Sequence, residues 1–227
     1  MMNRILCLAI VCFVLMHTGM GQPIKRFGGK IGLTSATWKW NHAGKPIGGI
    51  DRRVGLDVGV FAEWINIPVV SLLSEVHFIQ KGMREDIPFT TAQFPDGTGQ
   101  FSRTNIRDDY LSIALMPKFR FATELGEAYA IAGVRFDISV GNHVSIEADA
   151  PYQSSSALMA QGYQSLVDKF RKIQFGGTIG VGAQSSALLP FTVGVEFRFS
   201  PNVQPALDEQ LRDISNTSFE FLVIISN

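Results

Sequence analysis

Eight segments of this chain alternate apolar and polar side chains with a period of two, and that alternation restricts it to sheet architecture. In DDYLSIALMPKFRF, residues 108–121, Leu111, Ile113, Leu115, Pro117, Phe119 and Phe121 share one side. Tyr110, Ser112, Ala114, Met116, Lys118 and Arg120 share the other. One face is therefore wholly apolar, and the opposite face ends in two cations. The same pattern returns at 28–40, 54–65, 70–81, 128–141, 170–183, 191–200 and 218–226. Each segment is as long as the roughly 9 to 11 residues a tilted strand needs to cross a bilayer.

The connections alternate in length. Joins near 66–69, 122–127 and 184–190 are short, whereas those near 41–53, 83–109, 142–169 and 201–217 are long. In an up-and-down arrangement all short joins share one rim and all long ones the other, as in outer-membrane barrels with tight periplasmic turns. An eight-stranded antiparallel up-and-down transmembrane β-barrel is the expected fold. A soluble lipocalin-like carrier has the same periodicity with its faces exchanged, so periodicity alone leaves both open.

Charge composition separates them. Charged residues make up 18% of the chain and mean hydropathy is +0.15, an unusually apolar balance against the roughly 25% charged residues of soluble domains. The polar face is rich in small residues, as a narrow eight-strand lumen requires. Its cations are Lys30, Lys81, Lys118, Arg120, Arg135, Lys172 and Arg198, and its anions Asp57, Glu63, Glu75, Asp137, Glu196 and Glu220. His77 lies among them, two positions from Glu75. Such near-balance is what an enclosed network needs, because a buried charge is tolerated only when paired. Trp38, Trp40, Trp64, Phe121 and Phe191 fall at strand ends and are expected to ring the barrel at the lipid–water interface. Pro117 cannot donate to a ladder and predicts a bulge near the short-turn rim.

The first residues read as a cleaved export signal: Arg4, an apolar core over 5–16, and Gly19-Met20-Gly21 before a mature start near Gln22. The chain is thus expected to divide into a signal peptide, 1–21, and one barrel domain, 22–227. Cys7 and Cys12 both fall in the signal, which leaves the mature chain without thiol chemistry or a disulfide. Zero formal net charge without a basic run argues against nucleic acid. No metal motif occurs, and no cofactor is expected. The glycines of QFGGTIGVGAQ, 174–184, lie on a strand and read as lumen packing rather than a phosphate loop.

His42 and His143 lie in or beside outer loops, the latter near Ser145, Glu147 and Asp149, where a loop-based hydrolase would place its site. Solvated surface is the simpler reading, and no catalytic residues are assigned. The loop over 142–169 predicts a short helix after Ser155 or Ser156, and Pro205 with the ALDEQLRD that follows predicts a helical turn or two.

In order and spacing, FGGKIGLTSAT, VSLLSEVHFIQKG, YLSIALMPKFRF, AYAIAGVRFDISVG and FTVGVEFRF resemble the PorT-like outer-membrane β-barrel family typical of Bacteroidota. The resemblance covers nearly the whole mature chain. It implies an eight-stranded barrel in the bacterial outer membrane, with relatives that are accessory components of protein secretion. The chain departs from the family at Ala114, where a proline is usual, and in ending ISN, with Phe221 its last aromatic. The expected protein is a non-enzymatic monomer with a side-chain-filled lumen. It contacts outer-membrane lipid and presents its outer loops to envelope or secretion proteins. A small solute channel is the first alternative, and an outer-membrane lipid or peptide hydrolase with a loop site is the second.

Overall fold

The computed structural model describes residues 24–40, 49–64, 67–93, 98–124, 126–150, 153–187, 189–209 and 212–227. The expected signal segment with Cys7 and Cys12, and His42, lie outside the described residues. The strands are β1 (Ile24–Trp40), β2 (Asp51–Trp64), β3 (Val70–Pro88), β4 (Phe101–Thr123), β5 (Gly126–Ala148), β6 (Ile173–Ser185), β7 (Thr192–Pro201), β8 (Leu207–Glu209) and β9 (Arg212–Ser226). One helix, α1 (Gln153–Val167), precedes β6.

From β1 to β7 each strand pairs antiparallel with the next, β7 pairs with β9, and β9 returns to β1 from Gly28↔Ser226 to Trp40↔Ile214. Eight strands therefore close a ring, with the three-residue β8 added onto β9. Closure leaves no edge to attract a foreign strand.

The faces are those of a membrane barrel. Ile31, Leu33, Val58, Val60, Leu111, Ile113, Val134, Phe136, Val195, Phe197 and Phe221 are exposed on the outside. Lys30, Asp57, Glu75, Arg135, Glu196 and Glu220 are buried inside. That orientation excludes the lipocalin-like reversal.

Beyond the lipid-facing band the strands continue. β4 and β5 have 23 residues each, about twice the roughly 9 to 11 that a crossing needs. Outward side chains on β4 change from Leu111, Ile113 and Leu115 to Asp109, Arg107, Asn105 and Arg103, so its outer half stands clear of hydrocarbon. Much of the long connection expected over 83–109, and the start of that over 142–169, is therefore strand. The apolar–polar alternation fails there because the outward face is polar and the inward face mixes polar residues such as Thr104 with the apolar Met83 and Ile106, while cross-strand pairs such as Arg103 Nε to Asp86 at 2.9 Å hold the register.

Two local expectations are corrected. Pro117 causes no bulge. It stays in register with Leu72, and the ladder to β5 is merely interrupted between Leu115↔Val134 and Lys118↔Ile131, at the cost of one missing N–H. The shift of register lies instead between Asp109 and Tyr110, where Val140 is the extra residue. The ALDEQLRD stretch forms the β8–β9 hairpin rather than helix. Ala206 N–H bonds Ile214 C=O at 2.7 Å and Leu207 is buried, so tertiary pairing overrides local propensity.

Candidate functional site

The interior is the part of the molecule with organised chemistry, and it is stacked in levels. At the centre Lys30 Nζ donates to Glu75 at 2.6 Å and to Glu196 at 3.0 Å. Arg198 grips Glu75 with Nη1 at 2.7 Å and Nη2 at 2.8 Å, and also bonds Glu196. Tyr129 donates its hydroxyl to Glu196 at 2.7 Å. Arg135 bridges Asp137 at 3.1 Å and Glu220 at 2.9 Å, and Lys81 closes on Asp137 at 2.6 Å. His77 stands between two carboxylates, Nδ1 at 2.5 Å from Asp57 and Nε2 at 3.3 Å from Glu75. Only an imidazolium has N–H donors for both. It also brings five carboxylates and four permanent cations to neutrality.

Small residues make room for this packing. A Cβ on Gly59 would fall 2.5 Å from the His77 ring, and one on Gly182 would fall 2.4 Å from the Tyr129 ring.

Toward the short-turn rim lies an apolar level of Phe61, Leu73, Met116, Ile131 and Ile224. A second ionic group follows at the mouth, where Lys118 reaches Glu63 at 3.2 Å and Glu127 at 3.1 Å, and Ser71 donates to Glu63 at 2.7 Å. Arg120 and Arg26 stand 3.7 Å from Glu63.

Toward the outer rim Gln174 and Asn216 donate to the Tyr110 hydroxyl at 2.9 and 3.2 Å. Above them Trp38, Met83, Ile106, Leu166, Val167, Leu207 and Ile214 form an apolar cap, with Trp40, Val144, Tyr163 and Phe170 packed against it. The C-terminal half of α1 supplies Tyr163, Leu166 and Val167 to this cap. The extra residue Val140 re-phases β5 so that Val144 turns inward to meet it.

Two titratable groups at this outer end, Asp108 and Tyr163, are perturbed. Burial pushes the Asp108 carboxyl up to about 7, with Asp109 adding to the shift and the Trp38 indole and the Arg53 and Lys81 cations opposing it. Burial, aided by the Glu85 carboxylate its hydroxyl bonds, raises Tyr163 well above the usual phenol.

Most of the residues expected in the lumen are brought together there: Asp57, Glu63, Glu75, His77, Lys118, Arg120, Arg135, Asp137, Glu196, Arg198 and Glu220 are all buried. Lys172 is not. It is exposed in the bend before β6, because that strand begins at Ile173, three residues later than its periodicity predicts. The interfacial ring is also corrected. Trp38 and Trp40 share the inward parity of Lys30 and Thr34, and they build the cap instead of facing lipid. Trp64, Phe121 and Phe191 do stand on the outer surface near the short-turn rim. Sequence reading missed the buried amides Gln174, Asn202 and Asn216 and the levels they define. Their inward parity was visible for Gln174 alone. Asn202 and Asn216 lay in an expected loop.

Around the outer histidine, Ser145 Oγ lies 3.5 Å from the Asn105 carbonyl and the Asp149 carboxylate accepts the Phe101 N–H at 2.9 Å. Neither group is directed at His143, which is exposed. Among the described residues no group of three or more His, Cys, Asp or Glu side chains is arranged to hold a metal ion.

The family model for the outer membrane protein beta-barrel domain matches residues 24–208. The chain belongs to that family. Membership and the outward apolar band place the protein in the bacterial outer membrane. No curated protein matches the sequence. Among solved structures it is similar to the outer membrane protein OprG of Pseudomonas aeruginosa, at 10% identity over 88% of this chain and 94% of that one, with a TM-score of 0.46. It is similar also to Ail, the attachment invasion locus protein of Yersinia pestis, at 11% identity over 89% and 98%, with a TM-score of 0.39. A third is the outer membrane protease OmpT of Escherichia coli, at 10% identity over 93% and 99%, with a TM-score of 0.42.

Proposed function

We propose that this outer-membrane barrel is a closed, non-enzymatic anchor that presents its outer extension to another component of the cell envelope. The observation that carries this reading is the filled lumen, in which an ion-paired central level lies beneath a cap formed by α1, β8 and the strand tips. Eight strands leave an interior just wide enough for side chains, and here those side chains are bonded to one another across it.

What remains for interaction is outside. The extended β3–β4–β5 sheet and α1 rise above the lipid band, and Leu158 on α1 and Val203 beside β7 are 72% and 71% exposed. The likeness of the strand motifs to PorT-like barrels supports a secretion component as the partner.

Purified protein in planar bilayers tests the closed lumen. No conductance steps are expected, with α1 present or with residues 153–167 replaced by a short Gly/Ser linker, because the central ionic level seals the barrel beneath the cap. Stable steps from the intact chain would overturn the reading in favour of a solute channel.

A further inference from the structure

The ring of strands is complete within the lipid band, but above it β5 runs on with a neighbour on one side only. β6 pairs with β5 from Glu127↔Gln184 to Ile138↔Ile173, and Ser139 N–H to Lys172 C=O at 2.8 Å is the last backbone bond between them. β5 continues to Ala148, held by β4 up to Ser102↔Ala148. Residues 141–148 therefore form an edge of about 27 Å at roughly 3.4 Å per residue. Among the described residues no backbone group pairs with its far side.

The phase of that edge follows from the ladder. In an antiparallel pair alternate residues bond opposite neighbours. Asp149 N–H bonds the Phe101 C=O of β4 at 3.1 Å, so His143, Ser145 and Glu147 bond β4 as well. Asn142, Val144, Ile146 and Ala148 turn their N–H and C=O groups to the open side. Exposed edges are blunted by Lys, Pro, charge or a bulge. The tip of β3 follows that rule with Arg84, Asp86 and Pro88, whereas GNHVSIEA, 141–148, contains neither Lys nor Pro.

α1 stands across from this edge without closing it. It reaches β5 through side chains, as where Gln164 donates to Asn142 Oδ1 at 2.8 Å, and its mid-helix backbone donors are already spent on the helix itself. Between the two lies an open groove of about 670 Å³, with Val144 on the strand side and Ala160, Gln161, Gln164 and Ser165 on the helix side.

We propose that this groove takes an extended polypeptide segment of the envelope partner, added to β5 as a further antiparallel strand. The idea rests on the presentation role proposed above and names the surface that performs it. A row of unpaired N–H and C=O groups is complemented by another backbone, and pockets for alternate side chains then set the sequence preference. Residues opposite Val144 and Ile146 share their inward face and are apolar; those beside His143, Ser145 and Glu147 lie on the outer face and are polar. α1 walls the groove, which leaves room for one strand but not for the sheet of a second barrel.

The test is fluorescence anisotropy of a labelled synthetic peptide, alternating Val and Thr with Lys at each end, titrated with the full chain in phosphatidylcholine nanodiscs. Saturable binding is expected. N-methylation of the Val residues, whose N–H groups would bond β5, should weaken it at least tenfold, and N-methylation of the Thr residues should not. Ile146→Pro removes an edge N–H that β4 does not use and should cause a similar loss. Ala160→Arg, which fills the groove from the helix side, should do the same. Gly162→Arg, where an added Cβ meets no atom within 4 Å, should bind like the parent chain. If Ile146→Pro does not fold, Ala160→Arg and the methylated peptides decide. Binding that is absent, or equally strong in the parent, Ile146→Pro and Ala160→Arg, overturns the proposal. Planar-bilayer recordings on the same preparations separate it from the closed-anchor reading: conductance steps refute the anchor, whereas a silent barrel that ignores the peptide refutes the edge alone.

Discussion

The central level of the lumen and its periplasmic mouth use the same residue types to different ends. At the centre Lys30, Glu75, Glu196 and Arg198 are each nearly inaccessible and multiply bonded. At the mouth Arg26 and Glu127 remain partly wetted, and Arg26 stands 3.7 and 3.9 Å from Glu63 and Glu127. The difference shows what sealing demands. A charge cut off from water must find its counter-charge inside the protein, whereas a charge at an opening can rely on solvent and counter-ions. Full burial therefore goes with short, multiple pairing and partial wetting with longer contacts.

The largest expected effect breaks the central level. Glu75→Ala removes the acceptor that Lys30, Arg198 and His77 share, leaving the two cations only Glu196 and the imidazole only Asp57, and loss of one partner from a buried pair costs roughly 3–5 kcal/mol. The variant should lose the folded, fast-migrating band of unheated samples on SDS gels at a markedly lower temperature or urea concentration. A parent-like transition would mean that the level is not sealed.

Overpacking comes next. Gly59→Val places a branched side chain where the His77 ring lies, and forcing extra atoms into a packed interior costs about 1–3 kcal/mol. The same gel assay should register that loss, with His77→Ala in the Gly59→Val background restoring part of the space but not the charge balance.

The outer cap offers a pH test of the same principle. Asp108 is buried with its carboxyl raised to about 7, so folding favours its protonated form. Its contribution to stability is full below the unfolded value near 3.8 and is lost as pH rises through about 7. The cap should loosen over that window, followed by Trp38 fluorescence, and Asp108→Asn should flatten the profile. A parent profile already flat between pH 4 and 8 would contradict the sealed environment.

The smallest effect is expected at the mouth. Arg26→Gln removes a partly exposed pair and should change stability by no more than about 1 kcal/mol, measured beside Glu75→Ala. A loss as large as the central one would erase the distinction between the two levels.

How much of this was readable in advance varies along each strand. On β4, Leu111 to Arg120 revealed both faces, because hydrocarbon outside and a packed lumen inside impose opposite demands on neighbouring side chains. Above Asp109 the same strand was read as loop, since Arg107 and Ser102 carry no apolar signal once lipid is gone. Trp38 and Trp40 were misplaced by their residue type, although their parity with Lys30 was already correct. Ala206 and Leu207 were read as helical from local preference, which the pairing of Leu207 with Ile214 overrules.

The sequence alone determined the eight-stranded closure, the orientation of its faces, and the residues that would have to neutralise one another inside. The strands follow from a strictly local rule, in which successive side chains point to opposite sides of a sheet, and the choice of which side meets lipid follows from the low charge content and near-balance of the polar side. Only the tertiary structure decided that the ions form two separate groups with an apolar floor between them, and that a helix and two tryptophans cap the outer end. Those outcomes depend on which strands face each other across the lumen, a relation between residues as distant as Lys30 and Glu196 that no local pattern encodes.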